Sequence, residues 1–360
     1  MTCVRVTISS VCNMEGLHPI ISDDIRRVVR DDKINWEKLS GKTVLITGAS
    51  GLIGSYLVFT LLCLNDERNL GIKITGLVRN RSKAEQRFGK ILEREDFTLQ
   101  VQDVICPLPK ELKADFIIHA ASQASPKYFI SDPVGTISAN TAGTQNLLEY
   151  ARTHSISGFL YLSSREIYGE PVFDTEFISE NEYGVVNPVL VRSCYPESKR
   201  LAETMCSCYA SQYHIPAKIV RLTHVYGSDL NINNGRVWGD FLTNVAHGED
   251  IVLKSDGKMR FAFTYVSDAV SGIMYVLLNG NDFVYNVGSK EILSIRELAE
   301  ICTQLRPEKN IKIRYNISED DQGYLKNRVA FLDCSAAEKL GWSAVVPVKE
   351  GFSRVLASLK

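Results

Sequence analysis

Tyr195 and Lys199 stand four residues apart in "CYPESKRLAETMC", with Pro196 suited to the first turn of a helix. Helical spacing sets both side chains on one face. A phenol with an ordinary pKa near ~10 is a poor base at neutral pH, and a lysine cation one turn away favours its phenolate. The pair can therefore take a proton from a hydroxyl; the alternative is a half-buried tyrosine beside a surface lysine. Upstream, the apolar, β-rich run "FLYLSSREIYG" ends in two hydroxyls, Ser163 and Ser164, and two charges, Arg165 and Glu166. Such runs form buried strands, so a polar tip calls for a reason.

A second constellation is "TVLITGASGLIGSYLVFTLL", where Gly48, Gly51 and Gly54 follow a strand-like run and precede a helical one. A tight turn, close backbone approach to a pyrophosphate and a helix N-terminus facing an anion each ask for what these positions offer. The alternative is a glycine turn without a ligand. At the end of the next strand an acid would accept the ribose hydroxyls of NAD. The chain instead has Arg79, with Arg81 and Lys83 nearby, which suits the 2′-phosphate of NADP or a solvated surface. Asp103, after the third strand, can meet an adenine amine or serve a turn.

Positioning these groups is the task of an alternating pattern that begins at Lys42. Short runs "TVLIT", "KITGLV", "DFIIHA", "GFLYLSS" and "AKIVRL" are separated by stretches of helical periodicity. That alternation predicts βαβ units and a doubly wound parallel α/β sheet, with ligands outside the carboxyl ends of its strands. Residues 1–40 read as an extension with one short helix capped at Ser22. Residues 41–226 read as the dinucleotide domain, and residues 227–360, with looser patterning, mainly as a smaller lobe closing over it. The 360 residues are 45% hydrophobic with a net charge of -1, which suits a cored globular protein and disfavours a nucleic-acid or anionic-membrane partner. No apolar run reaches the ~18 residues of a membrane span and no signal-like segment opens the chain, so a cytoplasmic protein is expected. Nine scattered cysteines lack zinc-like spacing; free thiols are expected, and no metal, since helical spacing sends Cys206 and Cys208 apart.

These motifs, in this order, resemble the extended short-chain dehydrogenase/reductases of the NAD-dependent epimerase/dehydratase family. The likeness runs over roughly residues 42 to 345, and the stretches "HAASQASPKYFISDPVGTISANTAGTQNLLEYA", "SSREIYGEP", "YGVVNPVLVRSCYPESKRLAETMC", "NNGRVWGDF" and "MRFAFTYVSDAV" are most similar to UDP-glucuronate decarboxylases. The resemblance implies a Rossmann-like fold with a C-terminal substrate-binding lobe, a UDP-sugar substrate and retained NAD. Tyr195, assisted by Ser164 and Lys199, would deprotonate the sugar's C4 hydroxyl as hydride leaves, the 4-ketone would let the C5 carboxylate depart, and returning hydride would give the pentose. Glu166 matches the family's active-site glutamate, which accounts for the polar strand tip. Along the cofactor the resemblance places Gly48, Gly51, Ile53, Gly54, Arg79, Asp103, Val104, Ala120 and Ala121, besides Tyr195 and Lys199. Along the sugar nucleotide it places Ser125, Tyr128, His224, Arg236 and Arg260, the two arginines having surface ion pairing as their alternative.

Three positions depart from the family pattern. Arg165 stands where it has a small or acidic residue, His224 replaces an asparagine at the diphosphate site, and Arg79 replaces the acid that reads NAD. A 4,6-dehydratase would need an aspartate at Arg165; a 4-epimerase would leave Glu166 without a task; and a binding protein that keeps the fold without catalysis is the reading from another class. The face Leu201, Ala202, Met205, Cys206 and Tyr209 is compatible with the family's four-helix homodimer, core packing being the alternative.

Overall fold

Short β-branched and aliphatic runs form β1 (Thr43–Thr47), β2 (Lys73–Val78), β3 (Phe97–Val101), β4 (Phe116–His119), β5 (Gly158–Ser164), β7 (Ala217–Leu222) and β11 (Val284–Val287) of one sheet. The structure, a computed structural model, describes residues 16–172, 175–228, 232, 236–317 and 330–359. The strand order is β11-β7-β5-β4-β1-β2-β3, with every pair parallel. Side chains of successive residues alternate between the two faces. Val44, Ile46, Leu160 and Leu162 pack into one core cluster, while Leu45, Phe159 and Tyr161 pack into the other, as a sheet covered on both sides requires.

Among the described residues the α-helices are α1 (Pro19–Val29), α2 (Leu52–Arg68), α3 (Arg81–Phe88), α4 (Pro126–Ser131), α5 (Pro133–Asn140), α6 (Ala142–Thr153), α7 (Cys194–Tyr213), α8 (Val237–His247), α9 (Val266–Asn279), α10 (Ile295–Thr303), α11 (Ser335–Lys339) and α12 (Val348–Ala357). Smaller sheets pair β8 (His224–Tyr226), β10 (Arg260–Tyr265) and β12 (Ile292–Ser294); β9 (Ile251–Leu253) with β13 (Ile313–Tyr315); and β6 (Phe177–Ile178) with β14 (Phe331–Leu332). Between β1 and β4 the winding reverses, and the crevice outside their carboxyl ends is where such a sheet binds ligands.

The chain after residue 227 is not wholly a separate lobe. β11 is the seventh strand of the central sheet, pairing the backbone groups that β7 would otherwise leave unpaired at an edge, and the buried face of α9 belongs to the main core. The extension also belongs to the body. α1 begins at Pro19 with His18 as its cap rather than at Ser22, since proline is preorganised for the first helical position. Ile25, Val28, Val29, Trp36 and Leu39 are buried in the main core, and the buried Asp24 accepts hydrogen bonds from Tyr56, Tyr265 and Arg354. Residues 1–15 of the expected extension lie outside the described residues. Among the described residues no helix is long and apolar enough to cross a membrane.

Candidate active site

The glycine turn leaves the carboxyl end of β1 and enters α2. Gly48 has φ +65°, and a Cβ there would lie 2.8 Å from Ala121 Cα and 2.9 Å from the Ala120 carbonyl. At Gly54 a Cβ would come 2.3 Å from the Gly48 carbonyl, so only glycine lets the helix pack on its own entry turn. The result is a backbone cradle at the N-terminus of a 17-residue helix, which fits the pyrophosphate of a dinucleotide. Ile53, Gly51 and Ala120 line the same cavity. Val104 is buried against α6, where a Cβ on Gly143 would touch it at 2.8 Å.

At the adenosine end, Arg79 Nη1 lies 3.8 Å from Asp103. Asp132, whose carboxyl is held below its usual range first by a hydrogen bond from Gln123, also feels the Arg79 charge. The cation after β2 therefore has Asp103 as its ion-pair partner rather than standing alone.

A buried chain of polar groups joins this turn to α7. Thr47 Oγ1 meets His119 Nδ1 at 2.8 Å, and His119 Nε2 meets Thr144 Oγ1 at 3.1 Å. Thr144 donates to the Asn140 carbonyl. Asn140 Nδ2 then donates to Ser198 Oγ at 2.9 Å, and Ser198 donates to the Tyr195 carbonyl at 3.0 Å. Burial, with the Lys199 charge adding to it, pushes His119 down to about 3 and keeps it neutral, so it can relay hydrogen bonds without a buried charge. Sequence reasoning passed over Thr47, His119, Asn140 and Ser198, whose only signal was their polarity within otherwise apolar elements.

Tyr195, Lys199, Ser164 and Glu166 come together in one cavity of about 240 Å³, together with Arg165 and Arg236. Ser164 caps the short helical turn that follows β5, its Oγ accepting from the Glu166 N–H at 3.2 Å, and its hydroxyl shares the cavity wall with the Tyr195 phenol. Burial and then the Glu166 charge push that phenol up to about 12; the Ser164 hydroxyl, Arg236 and Arg192 oppose them. Lys199 Nζ donates to the Leu162 carbonyl at 2.7 Å and lies 4.6 Å from the Tyr161 ring centroid, but 5.8 Å from that of Tyr195. Burial brings Lys199 down to about 7, with the Glu203 carboxylate opposing it. Its contact with Tyr195 in this structure is through space, over the ring.

Sequence reasoning also missed Arg192. Its Nη2 donates to both oxygens of Glu166 at 3.0 and 2.8 Å. Its guanidinium covers Phe129 at 4.5 Å, and Phe129 stacks on Tyr195 at 4.6 Å. The available signal was a cation three residues before Tyr195 in "VRSCYPESK". Behind the strand tip, Arg221 pairs with Glu203 at 2.7 Å and donates to Tyr168 at 2.8 Å, bracing the turn that carries Glu166.

The remaining candidates are spread more widely. Arg236 Nη2 donates to the Ala124 carbonyl at 2.9 Å and Nη1 to the Val225 carbonyl at 3.3 Å, at the mouth of the cavity. His224 lines the cavity, its ring set against Phe261 and Phe263. Arg260 is half-exposed, pairs with Glu176 at 3.0 Å and covers Phe331; it is not part of the cavity wall. Ser125 is the N-cap residue of α4, and Tyr128 is 44% exposed on that helix; neither is among the residues that line the cavity. On α7, Ala202 and Cys206 are buried within the same subunit while Leu201 is exposed, so the expected partner-facing stripe divides between core and surface. Cys206 is buried and Cys208 exposed, which separates them as helical spacing requires.

Residues 44–288 match the NAD dependent epimerase/dehydratase family. UDP-glucuronic acid decarboxylase 6 of Arabidopsis thaliana is 34% identical over 313 residues, covering 87% of each chain. UDP-glucuronic acid decarboxylase 1 of Danio rerio is 32% identical over 316 residues, covering 88% of this chain and 72% of that protein. The fold is shared with UDP-glucuronic acid 4-epimerase from Bacillus cereus, solved with UDP-glucuronic acid and NAD, at a TM-score of 0.71 and 21% identity over 88% of this chain and all of that one. With a glycine cradle, a Tyr-Lys helix and a Ser-tipped strand meeting at one crevice, and with relatives of this identity along most of its length, the chain belongs to the NAD-dependent epimerase/dehydratase family of enzymes.

Proposed function

We propose that the protein is a UDP-glucuronate decarboxylase that keeps NAD bound throughout its cycle. The observation that carries the reading is the meeting of Ser164, Glu166 and Tyr195 with the glycine cradle in one cavity. When bound, NAD accepts a hydride and later returns it. Tyr195 takes the proton of the C4 hydroxyl, and Ser164, whose oxygen already accepts the Glu166 N–H, orients that hydroxyl. The ketone at C4 makes the C5 carboxylate a β-keto acid, whose departing electron pair flows into the ketone without a metal. Glu166, held by Arg192, is the group placed to exchange a proton at C5.

Lys199, fixed on the Leu162 carbonyl, suits the ribose beside the nicotinamide, and a cation over the Tyr195 ring favours phenolate over phenol when charged. The pairing of Arg79 with Asp103 supports NAD over NADP, since a 2′-phosphate would meet carboxylates as well as the cation. Exposed Ile130, Val134, Ile137 and Leu201 on α4, α5 and α7 support a homodimer through these helices, which sedimentation tests.

A 4-epimerase is the second reading, favoured by the close pairing of Glu166 with Arg192, which occupies both carboxylate oxygens. Incubation of the purified protein with UDP-glucuronate, without added reductant, separates the two. A UDP-pentose lighter by carbon dioxide supports decarboxylation, and a hexuronate of unchanged mass inverted at C4 supports epimerisation.

A further inference from the structure

The cavity carries one more cation than its own structure uses. Glu166 is the sole carboxylate among its described lining residues, and it is matched by Arg192. Lys199 and Arg236 both donate to backbone carbonyls. Arg165 lines the cavity half-buried, on the turn after β5, and no described residue accepts a hydrogen bond from it. A desolvated guanidinium with five unmatched donors is unfavourable unless something else pairs with it.

A second lining residue of the same cavity is also incomplete. His224 has a buried Nδ1 without a partner among the described residues, and its ring is fixed by Phe261 and Phe263. Its surroundings are cationic: after burial, the charges of Arg165, Arg236 and Arg192 all hold it neutral. A neutral histidine beside three guanidiniums adds no charge of its own and leaves their field to an anion.

We infer that Arg165 is the receptor for the sugar's carboxylate, pairing with it through a forked guanidinium, and that it makes the site selective for hexuronates over neutral hexoses. Arg165 stands between Ser164 and Glu166 on one turn. Ser164, Arg165 and the Tyr195 phenol that would address C4 line one cavity, so a carboxylate on the adjoining carbon is the anion nearest this side chain. The diphosphate is several bonds further away. A planar fork matches carboxylate geometry in two parallel hydrogen bonds, which a lysine cannot reproduce. The inference rests on the proposed function only for the position of the sugar beside Tyr195; it concerns binding and does not need carbon dioxide to be lost.

The test is equilibrium binding of UDP-glucuronate, UDP-glucose and UDP in a Tyr195→Phe background, where bound sugar is not consumed. Arg165→Ser should weaken UDP-glucuronate by about 10–100-fold, the usual worth of hydrogen bonds to a charged group. UDP-glucose and UDP should stay within about twofold of the parent, which also reports an intact fold. Arg165→Lys should fall between, keeping the charge and losing the fork. Equal losses for all three ligands would overturn the inference and assign Arg165 to the diphosphate; unchanged UDP-glucuronate binding would overturn it as well. Selectivity lost with Arg165→Ser in a protein whose Tyr195 form releases no carbon dioxide would uphold the inference while the proposed function fails.

Discussion

Arg192 holds both carboxylate oxygens of Glu166 at 3.0 and 2.8 Å while stacking on the ring that stacks on Tyr195. The acid at the strand tip and the phenol on the helix are thus two ends of one assembly. Changing either member of the ion pair changes the electrostatics at the phenol.

The sign of that effect is open to test. Glu166 raises the Tyr195 pKa and Arg192 lowers it. Glu166→Gln should move the limb of the pH–rate profile on which activity rises with pH to lower pH, because a negative charge opposing the phenolate is gone. It should also reduce kcat about 10²-fold or more through loss of proton exchange at C5. Arg192→Gln should move the same limb to higher pH. Profiles that shift in the same direction for both variants would contradict the arrangement.

Cofactor retention depends on the cradle. Gly48→Ala places a Cβ against the Ala121 backbone at a positive φ, costing about 1–3 kcal/mol in strain alone and closing the space for a pyrophosphate. The variant should purify with little or no dinucleotide, measured as NAD released on denaturation. Wild-type content would place the cofactor elsewhere.

Cofactor choice follows from Asp103. Its removal in Asp103→Asn leaves Arg79 with less carboxylate nearby, and the ratio of NADP to NAD affinity should rise by about tenfold, equivalent to ~1.4 kcal/mol. An unchanged ratio would mean that Arg79 does not face the ribose.

The N-terminal helix is tied down by a buried charge. Asp24 is fully buried and pairs with Arg354 at 2.7 Å. Asp24→Ala leaves Arg354 its bond to Asp23 but strips the buried Tyr56 and Tyr265 hydroxyls of their acceptor, and should destabilise the fold by about 1–3 kcal/mol. Urea unfolding measures this, and a loss below about 1 kcal/mol would show that α1 docks by apolar packing alone.

The parts of this protein legible in its sequence are those set by local rules. The glycine turn, the alternating strands and the Tyr195–Lys199 spacing each depend on neighbours a few residues away, and each is present. Arg192 was not legible because its partner is 26 residues upstream, beyond any helical or strand period. The Lys199 tie to Leu162 spans 37 residues, and the relay from Thr47 through His119, Thr144 and Asn140 to Ser198 joins five elements. Arg260 was assigned to the sugar by its motif, yet its packing on Glu176 and Phe331 depends on two segments that no pattern places beside it. The seventh strand was hidden because its crossing follows a loop-rich stretch that resembles a separate lobe.

The most direct test of the central claim uses UDP-glucuronate carrying deuterium at C4, incubated with the purified protein without added reductant. Oxidation and return by a cofactor that never leaves should give a UDP-pentose, lighter by carbon dioxide, with the deuterium still at C4. Recovery of the intact hexuronate, or of a pentose with C4 deuterium exchanged for solvent hydrogen, would contradict it.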